Sequence, residues 1–115
     1  MRNRAETEYE TLLQITTKYL EQCHKPINEI QWIGTADGKY QLASWEAFAS
    51  LAGKIRREKG NYRSLIPANL VIVGYGWWLE RWDYDGYDMW KLKEIPVLNQ
   101  DAKPYPREWL DSMGE

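Results

Sequence analysis

Residues 77–94 read Trp77-Trp78-Leu79-Glu80-Arg81-Trp82-Asp83-Tyr84-Asp85-Gly86-Tyr87-Asp88-Met89-Trp90-Lys91-Leu92-Lys93-Glu94. An Asp-Gly pair suits a two-residue turn in which both residues take positive φ, so Asp85-Gly86 predicts a β-hairpin from its two flanking runs. Opposed positions then sum to 171: Leu79 faces Leu92, Glu80 faces Lys91, Trp82 faces Met89 and Tyr84 faces Tyr87. Apolar meets apolar and charge meets opposite charge, pairs that each stabilise a sheet by about 0.2–1 kcal/mol. Asp83 opposite Asp88, beside the turn, is the one poor pair. Strand alternation puts Trp78, Trp82, Tyr84, Tyr87 and Met89 on one face, with Glu80, Lys91 and Lys93 at its border. Trp77, Leu79, Arg81, Trp90 and Leu92 share the other. This second face is the expected core side, because burying the Glu80–Lys91 pair costs several kcal/mol per ion before pairing.

Working outward, Leu70-Val71-Ile72-Val73 is a short, β-branched apolar run that reads as a buried strand. Gly74-Tyr75-Gly76 after it marks a bulge or bend; it is not followed by the helix and Lys of a phosphate-cradling loop. Ser44 offers an N-cap to a helix carrying Trp45, Phe48, Ala49, Ala52 and Ile55 at helical spacing as far as Gly60. Its last turn would hold Lys54, Arg56, Arg57 and Lys59 against the negative end of the dipole. Glu29 to Thr35, ending at Asp37-Gly38, reads as a hairpin or an extended lead-in. Tyr9, Leu12, Leu13, Thr16, Tyr19, Leu20 and Cys23 recur at spacings of three and four and predict a helix over 5–24, opened by Glu6, Glu8 and Glu10 and closed before Pro26. Beyond Pro96 the chain is polar and proline-containing, with a short amphipathic piece around Trp109 and Leu110. The expectation is a single α+β domain over 1–115, with its core at about 5–98 and a tail at 99–115. Two helices pack on one side of a small, mainly antiparallel sheet ending in a C-terminal β-hairpin.

Composition narrows the chemistry. The 115 residues carry 15 Lys plus Arg and 17 Asp plus Glu, a formal charge of −2, and no apolar run approaches the roughly 20 residues of a membrane span. No signal-peptide core is visible at the N-terminus, so a cytoplasmic protein is expected, with no membrane partner. One Cys and one His, Cys23 and His24, cannot supply a usual zinc site, and neighbours on a helix point about 100° apart, so they make a poor thiolate–imidazole pair. No metal or cofactor is expected, and no catalytic residue is assigned. Asp83, Asp85 and Asp88 lack the spacing of a calcium loop and read as a solvated turn.

Two features point to partners. Residues 75–90 contain seven of the sixteen aromatics, Tyr75, Trp77, Trp78, Trp82, Tyr84, Tyr87 and Trp90. A sheet covered by helices on one side cannot bury both faces of such a hairpin, so one set of rings is expected to meet a partner. The plain alternative is that tryptophans compensate for a small core and Arg81 stacks on Trp90. The second feature is a basic run, Lys54, Arg56, Arg57, Lys59 and Arg63 against Glu58, or 5 − 1 = +4 within ten residues. It suits an acidic protein or nucleic acid, or simply a helix end complementing its dipole.

At WWLERWDYDGYDMWKLKEIP, residues 77–96, the chain resembles small uncharacterised proteins of bacterial phages and prophages. In these a WWLER stretch is followed by YDG, one or more aromatics and a Lys-x-x-Pro ending. The likeness is best from Leu70 to Pro96 and weaker over Ile30–Gly34 and Trp45–Phe48. This chain has Met89-Trp90 where a Trp pair is usual. The resemblance implies a mobile-element origin and a bacterial cytosol, and carries no activity.

The resulting expectation is a non-enzymatic interaction protein that docks on a host or phage protein, or on a second copy of itself. It would do so through Trp78, Trp82, Tyr84, Tyr87, Met89, Glu80, Lys91 and Lys93, with inhibition of a host system one role left open. The alternative is a single-stranded nucleic-acid or nucleotide binder stacking bases on Trp78, Trp82 and Tyr84, with Arg81, Lys91 and Lys93 on phosphates. A more distant alternative is an enzyme using Arg81, Asp83 and Asp88.

Overall fold

The fold is that of a computed structural model in which residues 8–60 and 63–114 are described. Two strong turns organise its sheet. Asp85 (φ 51) and Gly86 (φ 86) take the paired positive φ values of a tight hairpin turn and join β6 (Trp77–Tyr84) to β7 (Tyr87–Glu94) in the expected register. The Gly-Tyr-Gly segment is a bend, the second of the two alternatives expected, and closes a second tight turn. Gly74 N–H donates to Trp77 O (2.9 Å), Gly76 has φ 80, and β5 (Leu70–Val73) runs antiparallel to β6, pairing Ile72 with Leu79. Gly74 is also needed for space, since a Cβ there would sit 2.1 Å from the Trp77 ring.

On the other side of β5 lies β2 (Trp32–Thr35), followed by the short β3 (Gln41–Leu42) across the Asp37-Gly38 turn, so the lead-in is a hairpin. Asp37 Oδ1 accepts from Thr35 Oγ1 (2.7 Å) and Lys39 N–H (2.9 Å), which holds its carboxyl below the ordinary value. The five-stranded order is β3-β2-β5-β6-β7, all antiparallel.

The helices cover one side of this sheet. The first, α1 (Leu12–Gln22), is shorter than its periodicity suggests. Thr11 is its N-cap: the hydroxyl accepts from Gln14 N–H while the Gln14 side chain accepts from Thr11 N–H, a reciprocal capping box. Tyr9–Thr11 is instead a strand, β1, and the expected helical residues 5–7, including Glu6, lie outside the described residues. The second helix, α2 (Trp45–Ala52), is capped by Ser44 as expected but stops at Gly53. The basic residues after it form strand β4 (Arg56–Glu58), which pairs antiparallel with β1 in a two-stranded ribbon. A helix to Gly60 is therefore incorrect. The ribbon offers the backbone partners outside a helix, with Lys59 N–H donating to Glu8 O and Leu12 N–H to Ile55 O. A single 3-10 turn, Ile27–Glu29, follows α1.

The core lies between helices and sheet: Leu12, Leu20, Phe48 and Ala52 meet Ile33, Ile72, Trp77, Leu79 and Trp90. The Trp90 indole N–H donates to buried Thr16 Oγ1 (2.9 Å), which in turn donates to Leu12 O (2.7 Å). The Tyr19 hydroxyl accepts from Leu92 N–H (2.9 Å). Burial raises the Tyr19 pKa, against the lowering effect of that N–H and with a further rise from Cys23. Beyond β7 a segment leads to a short α3 (Arg107–Asp111) and a 3-10 turn, Ser112–Gly114, none of it buried. No helix among the described residues is long and apolar enough to cross a membrane.

Candidate functional site

The hairpin's two faces separate as their side-chain chemistry requires. Trp77, Leu79 and Trp90 point into the core and are buried, while Leu92 is half-buried against it. Among the described residues, α1 and α2 pack on that core side and not on the opposite face. Trp82 is 43% exposed, Met89 40% and Tyr84 61%, with Trp78, Tyr87 and Glu80 half-buried and Lys91 and Lys93 exposed. Every residue expected in the partner face thus shares this side of β6 and β7. The face continues across the sheet, because the register brings Val73 beside Trp78, Val71 beside Glu80 and Trp32 beside Val73. Trp32, Val71, Val73 and Trp78 line a hollow of about 430 Å³ rimmed by Glu80 and Arg81. Period-2 alternation in Leu70–Val73 and Trp32–Thr35 carries this extension, which a reading confined to the hairpin omits.

The aromatic face is ordered by its own polar contacts. The Trp78 indole N–H donates to Glu80 Oε1 (2.7 Å), fixing both side chains. Lys91 Nζ lies 4.5 Å from the centroid of the Trp82 ring, and Trp82 and Tyr84 meet at 5.5 Å with a 41° tilt. The cation over an aromatic is therefore Lys91 on Trp82. Arg81 does not play that role on Trp90: its guanidinium donates to Asp83 Oδ1 (2.9 and 3.1 Å) and to Ser64 Oγ (3.2 Å).

The acidic turn is not uniformly solvated. Asp83 is exposed, but the Asp88 side chain is fully buried. One Asp88 oxygen accepts from Arg57 Nη1 (2.7 Å), the other from the N–H groups of Leu65 (2.7 Å) and Ile66 (2.6 Å). Burial pushes the Asp88 carboxyl up, but the Ile66 N–H, the Arg57 guanidinium and the Leu65 N–H outweigh it and hold the group below its ordinary value. Arg57 Nε also donates to Glu10 (2.8 Å), its partner across β1 and β4, and Nη1 to Arg63 O (2.7 Å). Burial alone would lower the Arg57 pKa; Glu10 and Asp88 reverse that and raise it. Arg57 is thus a buried latch tying the β1–β4 ribbon to the hairpin and the 64–66 loop, not part of a surface patch.

Of the rest of the basic run, all but Lys59 line one cavity. Arg56 stacks on Tyr9 (4.4 Å), Lys59 pairs with Glu8 (3.3 Å), and Lys54 and Arg63 are exposed beside a cavity of about 480 Å³ that Arg56 also lines. Arg57 could not be recognised as structural from local sequence, because its acids lie 47 and 31 residues away in sequence. A lone Asp at an otherwise poor cross-strand position was the signal available.

His24 follows α1 in a left-handed conformation (φ 58), and Cys23 forms the helix C-cap. Among the described residues no cluster of His, Cys, Asp and Glu could hold a metal ion. Comparison with protein families, curated proteins and solved structures finds no match for this chain.

Proposed function

We propose that this chain is a small interaction protein that docks on a protein partner through the open face of β6 and β7. The reading extends to a phage or prophage origin, action in the bacterial cytosol without catalysis, and inhibition of a host system as the role to test. One observation carries it: Trp82, Tyr84 and Met89 stand exposed on a sheet whose other face buries Trp77, Leu79 and Trp90 in the core. Aromatic bodies inside a rim of Glu80, Lys91 and Lys93 have the makeup of an interface centre with a polar surround, and apolar patches beyond a few hundred Å² are uncommon on monomers without a binding role.

A single-stranded nucleic acid is the second reading, favoured by Lys91 over the tilted Trp82–Tyr84 pair and by Lys93 across from Trp78. The overall charge of −2 favours protein over phosphate backbone. An enzymatic role for Arg81, Asp83 and Asp88 has less support, since Asp88 is committed to Arg57, Leu65 and Ile66. The test is capture from bacterial lysate on immobilised wild-type protein and on Trp82→Ala, with and without nuclease. A protein retained by wild type in both conditions and lost on Trp82→Ala supports the reading. Nuclease-sensitive retention shifts it to nucleic acid, and equal retention by both proteins refutes it.

A further inference from the structure

The chain carries a second unpartnered apolar surface besides the open sheet face. Val97, Leu98, Tyr105, Trp109, Leu110 and Met113 are each more than half exposed. Tyr105 packs edge-on against Trp109 at 5.3 Å, so the segment around α3 holds a preformed aromatic side. A sheet of five strands up to eight residues long measures roughly 25 Å in either direction, yet the molecule extends 67 × 34 × 27 Å. Its radius of gyration is 18.9 Å, where a compact chain of this length has about 13 Å. The segment after β7 has no buried residue as far as Gly114.

The two surfaces complement one another. Residues 97–115 contain four acids, Asp101, Glu108, Asp111 and Glu115, against Lys103 and Arg107, for 2 − 4 = −2. The open face carries Lys91 and Lys93 against Glu80, for 2 − 1 = +1, and Glu80 is already held by Trp78. The segment also approaches the size of one side of a standard interface, about 20–30 residues. We propose that in the free protein the segment after β7 of one copy docks on the open β6–β7 face of a second copy, reciprocally. A two-fold exchange closes and buries both tails at once. The inference rests on the docking-face reading and names the face's occupant when no other partner is bound: a competitor must displace the tail.

Sedimentation velocity on the full chain at tens of micromolar tests it. Wild type should be a dimer. Leu110→Asp, in the tail, and Trp82→Asp, on the face, should each weaken the dimer more than about tenfold; Lys91→Glu serves if Trp82→Asp fails to give wild-type circular dichroism. An equimolar mixture of the tail variant and the face variant should regain a dimer, because one intact tail still meets one intact face. A dimer unaffected by Leu110→Asp, or no recovery on mixing, would overturn tail exchange in favour of face-to-face contact. A monomeric wild type would overturn it too. If that monomer still retained a lysate protein through Trp82, only self-docking would fail; if it retained none, the docking face itself would fail as well.

Discussion

Replacing Asp88 with Asn removes one charge while keeping the side chain's shape, and the structure gives the cost. The carboxylate, fully buried, receives Arg57 at 2.7 Å on one oxygen and two backbone N–H groups at 2.6 and 2.7 Å on the other. An Asn amide oxygen can keep the two N–H donors, but its NH₂ group then points at the Arg57 guanidinium, donor against donor. Removing one partner of a buried ion pair costs about 3–5 kcal/mol. Glu10, 2.8 Å from Arg57 and partly exposed, still neutralises the cation, so the lower figure applies. With an unfolding entropy of about 2.1 cal/mol/K per residue, a loss of ~3 kcal/mol lowers the midpoint by roughly 12 °C for a chain of this size. Tryptophan fluorescence during thermal or urea unfolding reads it, with Asp83→Asn, at the exposed Arg81 pair, expected within about 0.5 kcal/mol of wild type as control.

The pH dependence has a definite sign. Asp88 binds its proton more weakly folded than unfolded, so its contribution is full above the ordinary carboxylate pKa of about 3.9 and is lost as pH falls through the lower folded value. The gap between wild type and Asp88→Asn should therefore narrow below about pH 4. Equal stability of Asp88→Asn and Asp83→Asn at pH 7 would refute the latch, and a gap unchanged at pH 3 would show that charge is not its source.

Thr11→Ala removes one arm of the capping box and should cost about 1 kcal/mol in the same unfolding assay. Gly74→Ala places a Cβ against the Trp77 ring and should destabilise by at least about 1–3 kcal/mol, with an altered Trp77 emission. Lys25→Ala breaks an ion pair with the exposed Glu94 side chain and should change stability by less than about 1 kcal/mol, an effect that shrinks in salt.

The hairpin was legible in the sequence because turn chemistry and cross-strand pairing agree at every position but one, and because period-2 alternation separates Leu79 and Trp90 from Trp82 and Met89. The exception, Asp83 opposite Asp88, was where a long-range contact intervened. Local reading failed for the same reason between Gly53 and Gly60. Ile55 happens to continue the helical spacing of Trp45, Phe48 and Ala52, and basic residues suit a helix end, yet Arg57 answers two distant acids and the chain there is a strand. The start of α1 was decipherable: Thr11 and Gln14 form the capping-box pattern, while Tyr9 happens to share the helical spacing. The partner-facing residues fall on one face because strand alternation is local. The basic run is not one free patch, because Arg57 is buried against two acids and Lys59 pairs with Glu8, while Lys54, Arg56 and Arg63 stay together around one cavity.

The most direct test of the docking face is a binding titration of the protein captured from lysate, using chains carrying Leu110→Asp so that the tail does not compete. Trp82→Ala should weaken that affinity by about 2 kcal/mol, or roughly thirtyfold, while Lys54→Ala, on the exposed residue beside the basic cavity, should leave it unchanged. The opposite ranking, with both variants folded, would contradict the account and move the binding surface to the basic residues around β4.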